Sequence, residues 1–94
     1  MEIFANIVGT HFRGHDAKNI VNSLMIGDDV RLEAEPHNEF DPFAVACWFD
    51  DVHIGYLSRH NNIEVSKALV TTGLHICGEV SSREKNQPVL LIRL

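Results

Sequence analysis

Positive charge is what this chain has least of. Eight Lys and Arg face thirteen Asp and Glu, a formal charge of -5. No overall field therefore draws it toward nucleic acid or an anionic membrane, and any anion site must be local. Cysteine is nearly as scarce. Cys47 and Cys77 lie far apart, each inside an apolar strand-like run, which suits small buried hydrophobes in a reduced, cytoplasmic protein better than a thiol motif. No window approaches the ~18 uninterrupted apolar residues of a membrane span. Met1 to Asn6 also lacks the basic and apolar regions of a signal peptide. Among the six histidines no pair has the helix placement or cysteine spacing of a structural zinc site. Cys47 sits where a thiolate is disfavoured, with no catalytic signature around it. Neither a metal, nor another cofactor, nor enzymatic activity is expected.

The length of 94 residues allows one modest core, so one domain spanning 1–94 is expected, without repeats or low-complexity linkers. Ile3 to Val8 is β-branched and apolar and ends at Gly9, as a first strand would. Asp16 reads as an N-cap, Ile20, Val21 and Leu24 follow at helical spacing, and Gly27 reads as the stop. Val30, Leu32 and Ala34 alternate with Arg31, Glu33 and Glu35, the period of a strand with one wet face. Ala44 to Phe49 and Val52 to Leu57 form a hairpin across Asp50-Asp51, and Gly55 marks a bulge or a close backbone approach. Asn61 and Glu64 suggest a capping box for a second helix that ends at Gly73. Leu74, Ile76, Gly78 and Val80 then alternate with His75, Cys77, Glu79 and Ser81. A turn through Glu84-Lys85-Asn86 follows, and Val89 to Leu94 closes the chain. The order is β-α-β-β-β-α-β-β. Short strands outnumber small helices, so the fold expected is mainly β, a small closed barrel that leaves few exposed edges.

Between the second and third strands stands Glu35-Pro36-His37-Asn38-Glu39-Phe40-Asp41-Pro42-Phe43-Ala44-Val45. Prolines, Asn38 and Asp41 stiffen this segment around one aromatic, so it presents Phe40 flanked by polar groups. By turn chemistry alone it also serves as structural punctuation, with Asp41 capping its own loop and Arg59 pairing with a nearby acid.

This run, with Gly9-Thr10-His11-Phe12-Arg13-Gly14 before it and Ile54-Gly55-Tyr56-Leu57 after it, resembles the HIRAN domain over nearly the whole chain. The resemblance implies an OB-like barrel with two helices. It also implies a non-enzymatic, single-stranded DNA-binding module of DNA repair or replication that captures free 3′-hydroxyl ends. Carried over by position, Phe40 stacks on a terminal base with Phe12 beside it, and Asp41 accepts a hydrogen bond from the 3′-hydroxyl. Arg59 contacts phosphate. His11 stands where the family places an arginine, Tyr56 where a histidine meets phosphate, and Lys85 near a further aromatic. Asn38 completes the expected DNA-binding set of His11, Phe12, Asn38, Phe40, Asp41, Tyr56 and Arg59. A helicase, nuclease or other DNA-processing protein is the implied partner. The alternative is a protein-interaction adaptor in a nucleic-acid-processing or phage-derived system, using the same loop or an exposed barrel edge. Cations discriminate: DNA binding wants Arg13, Arg31, Arg59 and Lys85 gathered around Phe40.

Overall fold

A computed structural model describes residues 1–73 and 75–94. Its strands are β1 (Glu2–Val8), β2 (Asp29–Ala34), β3 (Val45–Phe49), β4 (Val52–Leu57), β5 (Ile76–Glu84) and β6 (Gln87–Arg93). Helix α1 (His15–Ser23) follows β1 after a 3-10 turn at Thr10–Phe12, and α2 (Asn62–Thr72) follows β4. The strands lie side by side as β1-β4-β3-β2-β5-β6, and β6 pairs back onto β1 to close a barrel, every pair antiparallel. The expected six-stranded barrel with two helices is therefore present. Closure also removes the exposed barrel edge on which one form of the adaptor reading relied.

The alternation read in β2 has its physical counterpart: Val30 and Leu32 are buried while Asp29, Arg31 and Glu33 face water. Ile54, Leu57, Leu90 and Ile92 fill the interior from β4 and β6. Helix α1 contributes Ala17 and Val21 to this core, and α2 contributes Val65 and Leu69. Two-residue turns join β3 to β4 and β5 to β6. Asp50 and Asp51 have φ of 48° and 64°, Lys85 and Asn86 52° and 64°, the doubly left-handed geometry whose twist matches that of the flanking strands.

Four local expectations fail. Asp16 is not the N-cap of α1. That position falls to Gly14, at φ 99° and ψ -178°, and Asp16 lies in the first turn, where its charge complements the positive helix end. Helix α1 stops at Ser23 rather than at Gly27, because Leu24 turns extended; Gly27 instead donates its N–H to the Val80 carbonyl and steers the chain into β2. Asn61 occupies the N-cap of α2, but its side chain makes no capping bond, so the capping box with Glu64 does not form. Cys77 is exposed, since the two-residue period of β5 turns it outward opposite Arg31, whereas Cys47 is buried. Burial pushes the Cys47 thiol far above its usual range. Leu74 lies outside the described residues.

The seam between β1 and β4 is a short ladder of two residue pairs. Beyond Asn6, β1 leaves β6 and pairs with β4 through Ile7 opposite Leu57 and Val8 opposite Tyr56. Gly55 permits this. Its φ is 151°, and a Cβ there would come within 2.7 Å of both Ile7 Cγ2 and the Val8 carbonyl oxygen. The β3–β4 ladder shifts register beside it, so the anticipated close approach and bulge are both realised. Gly55→Ala is expected to lower the free energy of unfolding by about 2 kcal/mol or more, read as a fall in the urea midpoint. An unchanged midpoint would mean that the seam can open without cost.

Candidate nucleic-acid interface

The segment between β2 and β3 is held by its own polar atoms. The Glu35 N–H donates to the Ala44 carbonyl at 2.9 Å, closing the base of the loop, and the Asn38 N–H donates to the Glu35 carbonyl. Asn38 Oδ1 accepts from the N–H groups of Phe40 (2.8 Å) and Asp41 (3.1 Å), and Asp41 Oδ1 accepts from Phe43 N–H. These side-chain bonds replace the ladder that a strand would have supplied. The result is a stiff loop whose Phe40 ring is 85% exposed.

Two further elements brace the loop. Glu35 Oε1 accepts from Asn38 Nδ2 at 2.9 Å and from the Tyr56 hydroxyl at 3.0 Å, tying the loop to β4. Asp41 Oδ2 accepts from Asn62 Nδ2 at 2.9 Å, tying it to the start of α2, and lies 3.5 Å from Arg59 Nε. Arg59 is largely exposed, whereas the Asp41 carboxylate is only 18% exposed. A carboxylate has about four acceptor sites, so Asp41, with three donors, retains room for one more.

Between this loop, the end of β1 and the end of β4 lies a cleft of about 370 Å3. Val8, Ala44 and Leu57 supply its apolar walls, and Asn38, Phe40, Asp41, Tyr56 and Arg59 all line it. Five of the expected site residues thus share one cavity. Arg13 and Asn62 line it as well. Arg13 stood in the quoted Gly9 to Gly14 run without an assigned contact, whereas nothing in the sequence distinguished Asn62 from Asn61. His11 is not in this cleft but in the neighbouring one, where Lys85 also lies. Phe12 is 80% exposed on the 3-10 turn, its ring 3.9 Å from that of His11. Of the four cations named in advance, Arg13 and Arg59 border Phe40. Arg31 lies elsewhere on the barrel, over the Trp48 ring and paired with Glu33.

Electrostatics fix the protonation of the cleft. Burial, reinforced by the bond to Glu35, pushes the Tyr56 phenol upward, so it remains a donor. His53 packs its ring edge against Tyr56 at 4.9 Å. Its Nε2 lies 3.0 Å from the Gly55 carbonyl, which can only accept, so Nε2 carries the hydrogen. Burial, aided by the Arg13 charge, pulls the His53 imidazole below its ordinary value. A group with a depressed folded value that is neutral when deprotonated stabilises the fold above its unfolded midpoint of ~6.5 and loses that contribution as pH falls through the folded one. By NMR, His53 is expected to titrate below ~6.5 and to move upward in Arg13→Gln. No movement in that variant would remove Arg13 from the field at this site.

Among the described residues no three His, Cys, Asp or Glu side chains are placed to hold a metal ion, and no helix is long and apolar enough to cross a membrane. No curated protein matches the chain. Among solved structures, a protein from Lactobacillus plantarum superposes with a TM-score of 0.78 at 22% identity, covering 98% of this chain and 93% of that one. The HIRAN domain of human HLTF superposes with a TM-score of 0.68 at 15% identity, covering 97% and 70%. At such identities the likeness carries the fold. The family model for the HIRAN domain matches residues 1–92, so this chain belongs to the HIRAN family of DNA-binding modules.

Proposed function

We propose that this domain, without chemistry of its own, binds single-stranded DNA at a free 3′-hydroxyl end. The observation that carries the reading is Phe40. An aromatic side chain left 85% exposed forgoes most of the roughly 1.5–3 kcal/mol that burial would yield, yet the hydrogen-bonded loop sets it in the lining of a cleft that also holds a carboxylate. A terminal base stacking on that ring gains ~1–3 kcal/mol whatever its identity. Phe12, on the other side of Gly9, offers a second ring to the preceding base. Tyr56, its hydroxyl committed to Glu35, serves here by positioning the loop.

The terminal hydroxyl donates to Asp41 Oδ1, which carries only the Phe43 N–H, whereas Asn62 and Arg59 occupy Oδ2. A 3′-phosphate set beside the same carboxylate would meet like-charge repulsion of about 4 kcal/mol at 4 Å and an effective dielectric of 20. Arg59 offsets part of this, so a smaller net preference is expected. Arg59 and Arg13 supply the nearest positive charge for the backbone, Arg59 by exchanging its long contact with Asp41 for a phosphate. A helicase, nuclease or similar partner acts on the captured end.

The adaptor reading has one observation of its own. Phe40 also borders a second cleft, of about 210 Å3, with Phe43 and Ile63, an apolar surface suited to a protein partner.

Fluorescence anisotropy with short oligonucleotides separates the two. Wild type is expected to favour a 3′-hydroxyl over a 3′-phosphate by about tenfold, a difference of ~1.4 kcal/mol. Equal or absent binding of the two ends would overturn end recognition, and absence of all binding would favour the adaptor. Phe40→Ala is expected to weaken binding to both ends by ~1–3 kcal/mol. Asp41→Asn should bring the preference within about twofold, with a near-UV circular dichroism spectrum checking that the loop stays folded.

A further inference from the structure

A groove of about 490 Å3 lies beside the Phe40 cleft and shares Val8 and Gly9 with it. It runs between the end of β1, helix α1 and the β5–β6 turn. Its polar lining includes Thr10, His11, Lys18, Lys85 and Gln87, and no Asp or Glu contributes. In a chain where acids outnumber bases thirteen to eight, a groove lined without one carboxylate is a local positive field.

The two lysines are available for a ligand. Among the described residues neither has an ion-pair partner, whereas Arg31, Arg59 and Arg93 are each paired with an acid. The walls are also fixed in advance. Arg83 Nη1 donates to the carbonyls of Val21 (3.0 Å) and Leu24 (2.9 Å) at the end of α1, and its Nη2 donates to the carbonyl of Asn86 (2.8 Å) in the turn. This one guanidinium staples helix to hairpin, so little conformational entropy remains to be lost when the groove fills. At the junction of the two cavities Gly9 has φ 73°, and a Cβ built there would meet nothing within 4 Å.

We propose that this groove carries the sugar-phosphate backbone of the same DNA strand upstream of its 3′ end, with Lys18 and Lys85 as phosphate contacts; the inference rests on the end-binding reading above. The groove has no aromatic lining besides His11, so it grips the backbone and leaves the bases unread. The Phe40 cleft takes the end and the lysine groove sets the footprint, about four or more nucleotides as in other small barrels.

The test compares oligothymidylates of three and eight residues, each with a 3′-hydroxyl or a 3′-phosphate, against wild type and Lys18→Gln/Lys85→Gln. Both lysines are exposed, and an unchanged melting temperature verifies folding of the variant. In wild type the eight-mer is expected to bind about tenfold more tightly than the three-mer. In the variant that gain falls to within about twofold, and the salt slope drops by about 1.4, at ~0.7 per lost phosphate contact. The preference for a 3′-hydroxyl stays unchanged. A wild type with that preference but with equal affinity for both lengths, or a length gain that survives in the variant, overturns the groove alone. A wild type with no preference between the two ends overturns the end reading on which the groove depends.

Discussion

Contact between β1 and β4 at Gly55 is the constraint on which the rest of this structure depends. The two backbones meet so closely that a single methyl group would collide with Ile7 and with the Val8 carbonyl. That approach closes the barrel. It also brings the end of β1, and the turn that follows it, against the end of β4, which carries Tyr56 and leads to Arg59. The β2–β3 loop then settles on this corner through Glu35 and Tyr56. Fold and candidate site are consequences of one seam.

Charge is distributed by role rather than by proximity. Arg83 acts as a structural staple, Arg93 joins Glu2 on β1 and Glu79 on β5, and Arg31 pairs within β2 while lying over Trp48. Arg13, Lys18 and Lys85 have no ion-pair partner among the described residues. They border two adjoining cavities. A negatively charged protein can keep a locally cationic groove in this way, with no carboxylate in the lining of the one that holds Lys18 and Lys85.

Much of this was legible in the residues. The β2 alternation, the Asp50-Asp51 turn and the Gly55 approach follow from two-residue periodicity and from the few residue types that accept unusual backbone angles. The Phe40 loop announced its stiffness through Asn38 and Asp41. Failures occurred where a long-range partner outbid local chemistry. Asn62 carries the useful amide at the start of α2 because Asp41 approaches from a distant loop, which no capping pattern encodes. Cys77 faces outward because the two-residue period of β5, which sets it opposite Arg31, outweighs the apolar character of the run containing it. His11 lines the neighbouring groove rather than the Phe40 cleft, while Phe12, its ring 3.9 Å away, projects from the 3-10 turn outside both linings.

Met1 and Leu94 meet through reciprocal hydrogen bonds, the terminal amine to the Leu94 carbonyl at 3.0 Å and the Leu94 N–H to the Met1 carbonyl at 2.8 Å. They sit at the start of β1, roughly 26 Å along the strand from Gly9 at ~3.3 Å per residue. Because β1 begins beside the end of β6, with Glu2 opposite Arg93, the barrel resembles a bracelet whose clasp lies at the opposite end of β1 from the Phe40 cleft.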